Sequence, residues 1–256
     1  MSARVVWTTE GGVTALKLNR PESLNALDER MADEFKLACA AISREKSRVV
    51  IVTGEGRAFS AGGDLAFIEA NRKRPKAKLP RIMREFYGSF LALRELPQVT
   101  IAQINGAAVG AGLCLAFECD LRTALADAKM GFNFVRLGLN PGLAALPLAG
   151  AALGPGRARE LILTGRFFTG GVLASWGGAV LASQTEDELR EETAKLAAEI
   201  ARHSPLALSL AKREMALAAP LDAFLDFEAK GQTECFKHPE LLEGLTALRE
   251  RRAPRF

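Results

Sequence analysis

The sequence predicts an α/β fold closed by a helical C-terminal layer, and three observations carry that expectation. Short β-branched runs alternate with stretches of helical period over roughly the first 165 residues. Two glycine-rich segments each follow one of those runs. After Gly165 the period is almost wholly helical. Alternation of this kind builds parallel strands joined by crossover helices.

The elements follow in order. Residues 4–8 and 13–18 are β-prone runs on either side of Glu10, Gly11 and Gly12, a hairpin signal. From Leu24 to Arg44 apolar residues recur every three or four positions (Leu24, Leu27, Met31, Phe35, Ala38, Ile42), which predicts a helix. Residues 48–53 (RVVIVT) read as a buried strand. A second helix is expected over Leu79–Leu96, a strand over 99–104 (VTIAQI), and a helix opening near Val109. Beyond Gly165, residues 184–202, 205–219 and 221–250 have helical period, broken at Ser204-Pro205, Ala219-Pro220 and His238-Pro239. No fixed repeat and no long linker interrupts the chain, so one domain with a helical appendage is expected, divided as 1–195 and 196–256.

Composition excludes several classes. The 256 residues are 25% charged and 48% hydrophobic, an ordinary globular balance that leaves no room for a disordered or collagen-like chain. The longest near-apolar stretch, Gly106 to Phe117, is too short and too rich in glycine to span a membrane, for which about 20 residues are needed. The N-terminus has no apolar signal region, so a cytoplasmic protein is expected. Four cysteines without a CxxC pair and two histidines argue against a metal site and for reduced thiols. The net charge of +4 clusters once, in RKRPKAKLPRIMR (Arg72 to Arg84), which contains no acid. This run is either a solvated approach to a helix or a patch that meets an anionic ligand. A nucleic-acid partner is not expected from so small an excess.

The glycine-rich segments are RAFSAGGDL (Arg57 to Leu65) and NGAAVGAGLCLAFECD (Asn105 to Asp120). Both fall at strand ends, where ligands bind in open α/β sheets. Glycine lets a ligand approach the backbone, and a helix opening near Gly110 turns free N–H groups toward it. Neither segment has the spacing of a P-loop or a dinucleotide fingerprint. Two such amides could hold an oxyanion.

Together with LNRPESLNAL (Leu18 to Leu27), LGLNPG (Leu137 to Gly142), ARELILTGRFFTG (Ala158 to Gly170) and the tail EGLTALRERRAPRF, these segments resemble the crotonase superfamily, also called the enoyl-CoA hydratase/isomerase family, over nearly the whole chain. The resemblance implies a spiral core of repeated ββα units, C-terminal helices used for trimerisation, and a homotrimer or dimer of trimers. It implies an acyl-CoA thioester as substrate, with coenzyme A entering as part of that substrate and no separate cofactor. The shared chemistry is stabilisation of a thioester enolate by two backbone amides, here those of Gly63 and Ala111. Ala26, Ala61, Asp64, Leu65, Gly110 and Asn133 fall at the positions expected to border the substrate.

The resemblance fails at one point. Family hydratases use two glutamates, and this chain has Cys114 and Phe134 at the corresponding positions; an acid that some relatives carry at the place of Gly142 is absent too. Cys114 is either a small core residue or a weak acid, Asn133 and Asn140 could orient water, and Glu118 lies one helical turn beyond Cys114. Asp64 is expected to brace its loop, and His203 and His238 to lie at the surface. Phe134 with Met130, Phe132 and Leu137 would make an apolar acyl pocket, poorly suited to activating water. An enolate-forming hydratase or isomerase, a decarboxylase of the same superfamily, and a non-catalytic binder of acyl-CoA or RNA all remain open at this point.

Overall fold

The computed structural model describes residues 2–215, 239–250, 252 and 255. Among them, ten strands form two sheets. The first has the order β1-β2-β3-β5-β7-β10, with β1 (Val5–Glu10), β2 (Val13–Leu18), β3 (Val49–Gly54), β5 (Val99–Ile104), β7 (Leu121–Leu125) and β10 (Leu181–Ser183). Within this sheet, among the described residues, only the β1–β2 pair is antiparallel, with Glu10 opposite Val13. β3 pairs with both β2 and β5 in parallel. The second sheet has the order β4-β6-β8-β9, with β4 (Ala58–Ser60), β6 (Ala107–Val109), β8 (Lys129–Gly131) and β9 (Phe168–Thr169).

Three successive turns of the chain therefore contribute one strand to each sheet and then helix. β3 and β4 precede α2 (Leu65–Lys73) and α3 (Leu79–Leu91); β5 and β6 precede α4 (Ala111–Glu118); β7 and β8 precede α5 (Ala145–Leu153) and α6 (Pro155–Thr164). This is the repeated ββα step that the resemblance implied. β5 is buried along its whole length, as a parallel strand covered on both faces should be. The steps are locked at their crossings by Asn105, which accepts from the Gly54 amide (3.1 Å) and donates to the carbonyls of Gly54 (2.9 Å) and Gly56 (2.8 Å).

Helix α1 (Glu29–Ile42) buries Met31, Phe35, Ala38 and Ile42, part of the stripe its spacing predicted, together with Ala32 and Cys39. It begins later than that spacing suggested, because Asp28 caps it through the Met31 amide (2.9 Å). Leu24 and Asn25, expected inside the helix, instead adopt left-handed backbone conformations. The α1 face meets α3 through Phe35 and Phe90, with ring centroids 5.3 Å apart, and Phe90 packs edge-on against Phe86 of the same helix at 5.2 Å. α3 stops at Leu91 and a 3-10 turn (Ala92–Glu95) completes the stretch predicted as helix to Leu96. The short α7 (Gly170–Ser175) leads into β10.

The helical C-terminal part begins with α8 (Glu186–Ile200), opened by a capping box of Thr185 and Glu188. Its Leu196, Ala197 and Ile200 pack over Val49 and Ile101 on the face of the first sheet opposite the main core. α9 (Pro205–Met215) is anchored by buried Lys212, which pairs with Asp120 (2.9 Å) and donates to the Gln98 carbonyl (2.9 Å). α10 (Pro239–Glu250) carries the end of the stretch predicted as helix over 221–250. The helical expectation for 216–219 and 221–238, together with His238 and Cys235, lies outside the described residues.

Near this anchor, Glu118 is buried against Arg94 (Nε to Oε1, 2.8 Å), and its Oε2 has no hydrogen-bond donor among the described residues. Burial outweighs the charges of Arg94 and Lys212 and raises its carboxyl to about 7. The folded state therefore binds a proton that the unfolded chain has released above its ordinary value of 4.5. Stability falls as pH rises from about 4.5 to 7, by on the order of a few kcal/mol, and then levels off. Urea titrations of wild type and Glu118→Gln at several pH values check this: the variant should lose that part of the slope.

Candidate active site

The two glycine-rich segments lie side by side. After β4 the chain passes through Ala61, Gly62 and Gly63 to Asp64, the N-cap of α2. After β6 it passes through Gly110 into α4. Gly62 (φ +94°) faces the second segment so closely that a Cβ there would fall 2.5 Å from the Val109 carbonyl oxygen and 3.5 Å from the Ala111 nitrogen. A Cβ on Gly112 would lie 2.6 Å from the Ser60 carbonyl oxygen. Only glycine permits this backbone-to-backbone approach.

The first segment is fixed from behind by the loop preceding α1. Leu27 bridges Gly63, its amide donating to the Gly62 carbonyl (2.7 Å) and its carbonyl accepting from the Asp64 amide (2.9 Å). The Ala61 amide donates to the Leu24 carbonyl (2.8 Å). In the second segment the Gly110 amide donates to Gly131 (2.8 Å), and the Gly110 carbonyl accepts from Cys114 (3.1 Å). These bonds engage the amides of Leu27, Ala61, Asp64, Gly110 and Cys114. The amides of Gly63 and Ala111 themselves have no acceptor among the described residues. Ala111 opens α4, so its N–H lies at the positive end of the helix.

Asp64 is committed to structure. Its Oδ1 accepts from the Phe67 amide (3.1 Å) and its Oδ2 from Arg20 (2.7 Å). Burial works to raise its carboxyl, yet the Arg20 hydrogen bond, the amides of Phe67 and Ala66 and the Arg20 charge hold it below the ordinary carboxylate range. Ala26 is buried beside this pair, its carbonyl accepting from Arg20 (3.3 Å), while Ala61 and Leu65 are exposed.

Asn133 and Phe134 open a 3-10 turn (Asn133–Leu137) on the other side of Gly110. A Cβ on Gly110 (φ +54°) would lie 3.1 Å from Asn133 Oδ1 and 3.9 Å from the Phe134 ring. Met130 and Phe132 are fully buried behind them, whereas Leu137, expected in the same apolar wall, is 58% exposed. Cys114 has no exposed surface and its Sγ donates to the Gly142 carbonyl (3.6 Å); burial first, then the Glu118 charge, pushes its thiol well up. It is a protonated core residue. Glu118 is turned to Arg94, Asn140 is exposed with its amide on the Pro141 carbonyl (3.1 Å), and His203 is exposed.

Two further side chains, neither predicted as a site residue, lie against these segments. Asn25 is fully buried, accepting from the Arg20 amide (2.8 Å) and donating to the carbonyls of Glu55 (2.9 Å) and Ala58 (2.8 Å). Tyr87, on α3, places its hydroxyl against Gly142. The basic run surrounds the junction of α2 and α3, where Arg72, Lys73, Lys76, Lys78 and Arg84 are exposed and Arg74 pairs with Glu29 (2.8 Å).

Comparison with known proteins agrees with this architecture. A family model described as "Enoyl-CoA hydratase/isomerase" matches residues 8–256. The 1,2-epoxyphenylacetyl-CoA isomerase of Escherichia coli is 32% identical, covering 96% of this chain and 95% of its own length. The crotonyl-CoA hydratase of Syntrophomonas wolfei is 29% identical over 98% and 97% of the two chains. The crystal structure of an enoyl-CoA hydratase from Bacillus anthracis superposes with a TM-score of 0.92 at 29% identity, covering 99% of this chain and 98% of that one. The ββα spiral with its paired sheets is thus the crotonase fold. The chain belongs to the enoyl-CoA hydratase/isomerase family and is an acyl-CoA enzyme of that family. No helix among the described residues is long and apolar enough to cross a membrane.

Proposed function

We propose that this enzyme binds a coenzyme A thioester with its carbonyl oxygen between the amides of Gly63 and Ala111 and stabilises the enolate formed from it. The observation that carries the reading is the pair of unengaged amides on two loops that touch. Charge on an enolate oxygen is best held by donors fixed beforehand in a site that excludes water. Ala26, Ala61, Leu65, Gly110 and Asn133 border the bound thioester, and Asp64 fixes the Gly63 loop.

No carboxylate stands at the positions of Cys114, Phe134 or Gly142, so addition of water by paired glutamates is not supported. One observation favours a second reaction. The half-buried Phe134 beside Gly110, backed by Met130 and Phe132, suits loss of carbon dioxide, which yields the enolate directly and needs no base to activate water. Incubating the enzyme with crotonyl-CoA and, separately, with malonyl-type thioesters distinguishes the two. Carbon dioxide release without loss of the enoyl absorbance supports decarboxylation; hydration of crotonyl-CoA at a useful rate contradicts it.

The exposed basic residues at the α2–α3 junction lie one helix away from Gly63, roughly 14 Å along α2. We assign them to the phosphates of coenzyme A. Lys76→Glu combined with Lys78→Glu should raise KM for an acyl-CoA about 10-fold at low salt, an effect that shrinks as salt screens it. An unchanged KM would make the run a solvated surface only. The helices after residue 196 are assigned to association as a homotrimer or dimer of trimers, which light scattering on the purified protein measures directly.

A further inference from the structure

Tyr87 presents a phenol at the place where the site lacks an acid. Its hydroxyl fills the space above Gly142: a Cβ on that glycine would fall 2.4 Å from Tyr87 Oη and 2.9 Å from Cζ. Gly142 in turn accepts from Cys114, which follows Ala111 by one turn on α4. The phenol and the Cys114 thiol therefore share Gly142 as a neighbour, one turn along α4 from Ala111. The ring is half-buried against the core, and its hydroxyl has no hydrogen-bond partner among the described residues. A tyrosine this enclosed usually finds a partner for its O–H. Burial, and then the neighbouring Cys114, raise the phenol above its ordinary value, so it carries its proton at neutral pH. The Cys114 S–H is already engaged by the Gly142 carbonyl and Glu118 faces Arg94, which leaves the Tyr87 hydroxyl as the donor beside Gly142 with no acceptor among the described residues.

We propose that Tyr87 is a catalytic residue whose hydroxyl passes a proton to the α carbon of the enolate held by Gly63 and Ala111. The proposal rests on the enolate reading above. In the forward direction the enolate π electrons form the new Cα–H bond, the Tyr87 O–H bond breaks, the thioester carbonyl is restored, and the tyrosinate regains a proton from water. In reverse, the tyrosinate removes an α hydrogen and the electron pair moves onto the carbonyl oxygen. No oxidant or reductant is involved. Gly142 is glycine on this account because any side chain there would occupy the place of the phenol oxygen.

The test is exchange of the α hydrogens of butyryl-CoA in D2O, followed by mass spectrometry, alongside its binding affinity. Tyr87→Phe should lower the exchange rate about 100-fold, within the range that a positioned acid–base group supplies. Affinity for butyryl-CoA should change less than about 2-fold, and the melting temperature should stay close to wild type. Gly142→Ala, which keeps the tyrosine but displaces its hydroxyl, should lower exchange in the same way and add little to Tyr87→Phe in the double variant; it carries the test if Tyr87→Phe fails to fold. Exchange by Tyr87→Phe at the wild-type rate overturns the assignment while leaving the enolate reading intact. Wild-type protein that binds butyryl-CoA without exchanging it also overturns the assignment alone. Wild-type protein that neither binds nor exchanges overturns the enolate reading and, with it, the role of Tyr87.

Discussion

Replacing Ala111 by proline should lower turnover of an acyl-CoA by about 100- to 1,000-fold, the usual cost of losing one oxyanion donor. The substitution is chosen because it deletes a backbone N–H where the helix does not need it. Ala111 is the first residue of α4, and the first turn of a helix tolerates proline since its amides have no partner within the helix. Gly110 before it has no Cβ to clash with the new ring. The expected result is a folded protein with unchanged urea midpoint and a much reduced kcat. Comparable turnover in Ala111→Pro would show that this amide holds no developing charge.

A second large effect is expected at Asn25→Ala, this time on stability. The Asn25 side chain makes three hydrogen bonds in a fully buried position, and its backbone is left-handed, with φ of +54°. Alanine leaves the Arg20 amide and the carbonyls of Glu55 and Ala58 without those partners, each worth about 1–3 kcal/mol when buried. It also loses the tolerance of asparagine for that backbone conformation. A loss of roughly 3–5 kcal/mol is expected, read as a lower urea midpoint at constant slope. The same loop supplies the Leu24 and Leu27 contacts that seat Ala61, Gly62 and Gly63, so activity should fall with it. A change below about 1 kcal/mol would mean that the loop is held by other contacts.

The strands and the chemistry of these loops were legible to different degrees. β2 and β5 match their predicted bounds because short apolar runs flanked by turn residues admit little else. Leu24 and Asn25 were misplaced for a physical reason. Leu24 and Leu27 continue the apolar rhythm of α1, but the chain there is bound to the Gly63 loop, a long-range contact that local periodicity does not register. The glycine-rich segments could be recognised individually, whereas their mutual contact, Gly62 against Val109 and Gly112 against Ser60, comes from the stacking of two ββα steps. Leu137 fits the apolar wall by composition, yet the 3-10 turn carries it outward. Tyr87 gave no signal because it lies within an ordinary amphipathic helix, 55 positions before the glycine it covers.

The central claim is that one thioester oxygen sits between two main-chain donors, and a crystal structure with butyryl-CoA bound tests it most directly. The account predicts the carbonyl oxygen about 2.7–3.1 Å from both the Gly63 and the Ala111 nitrogens. A thioester oxygen turned to solvent or to a side chain, with those two amides facing other acceptors, would contradict it.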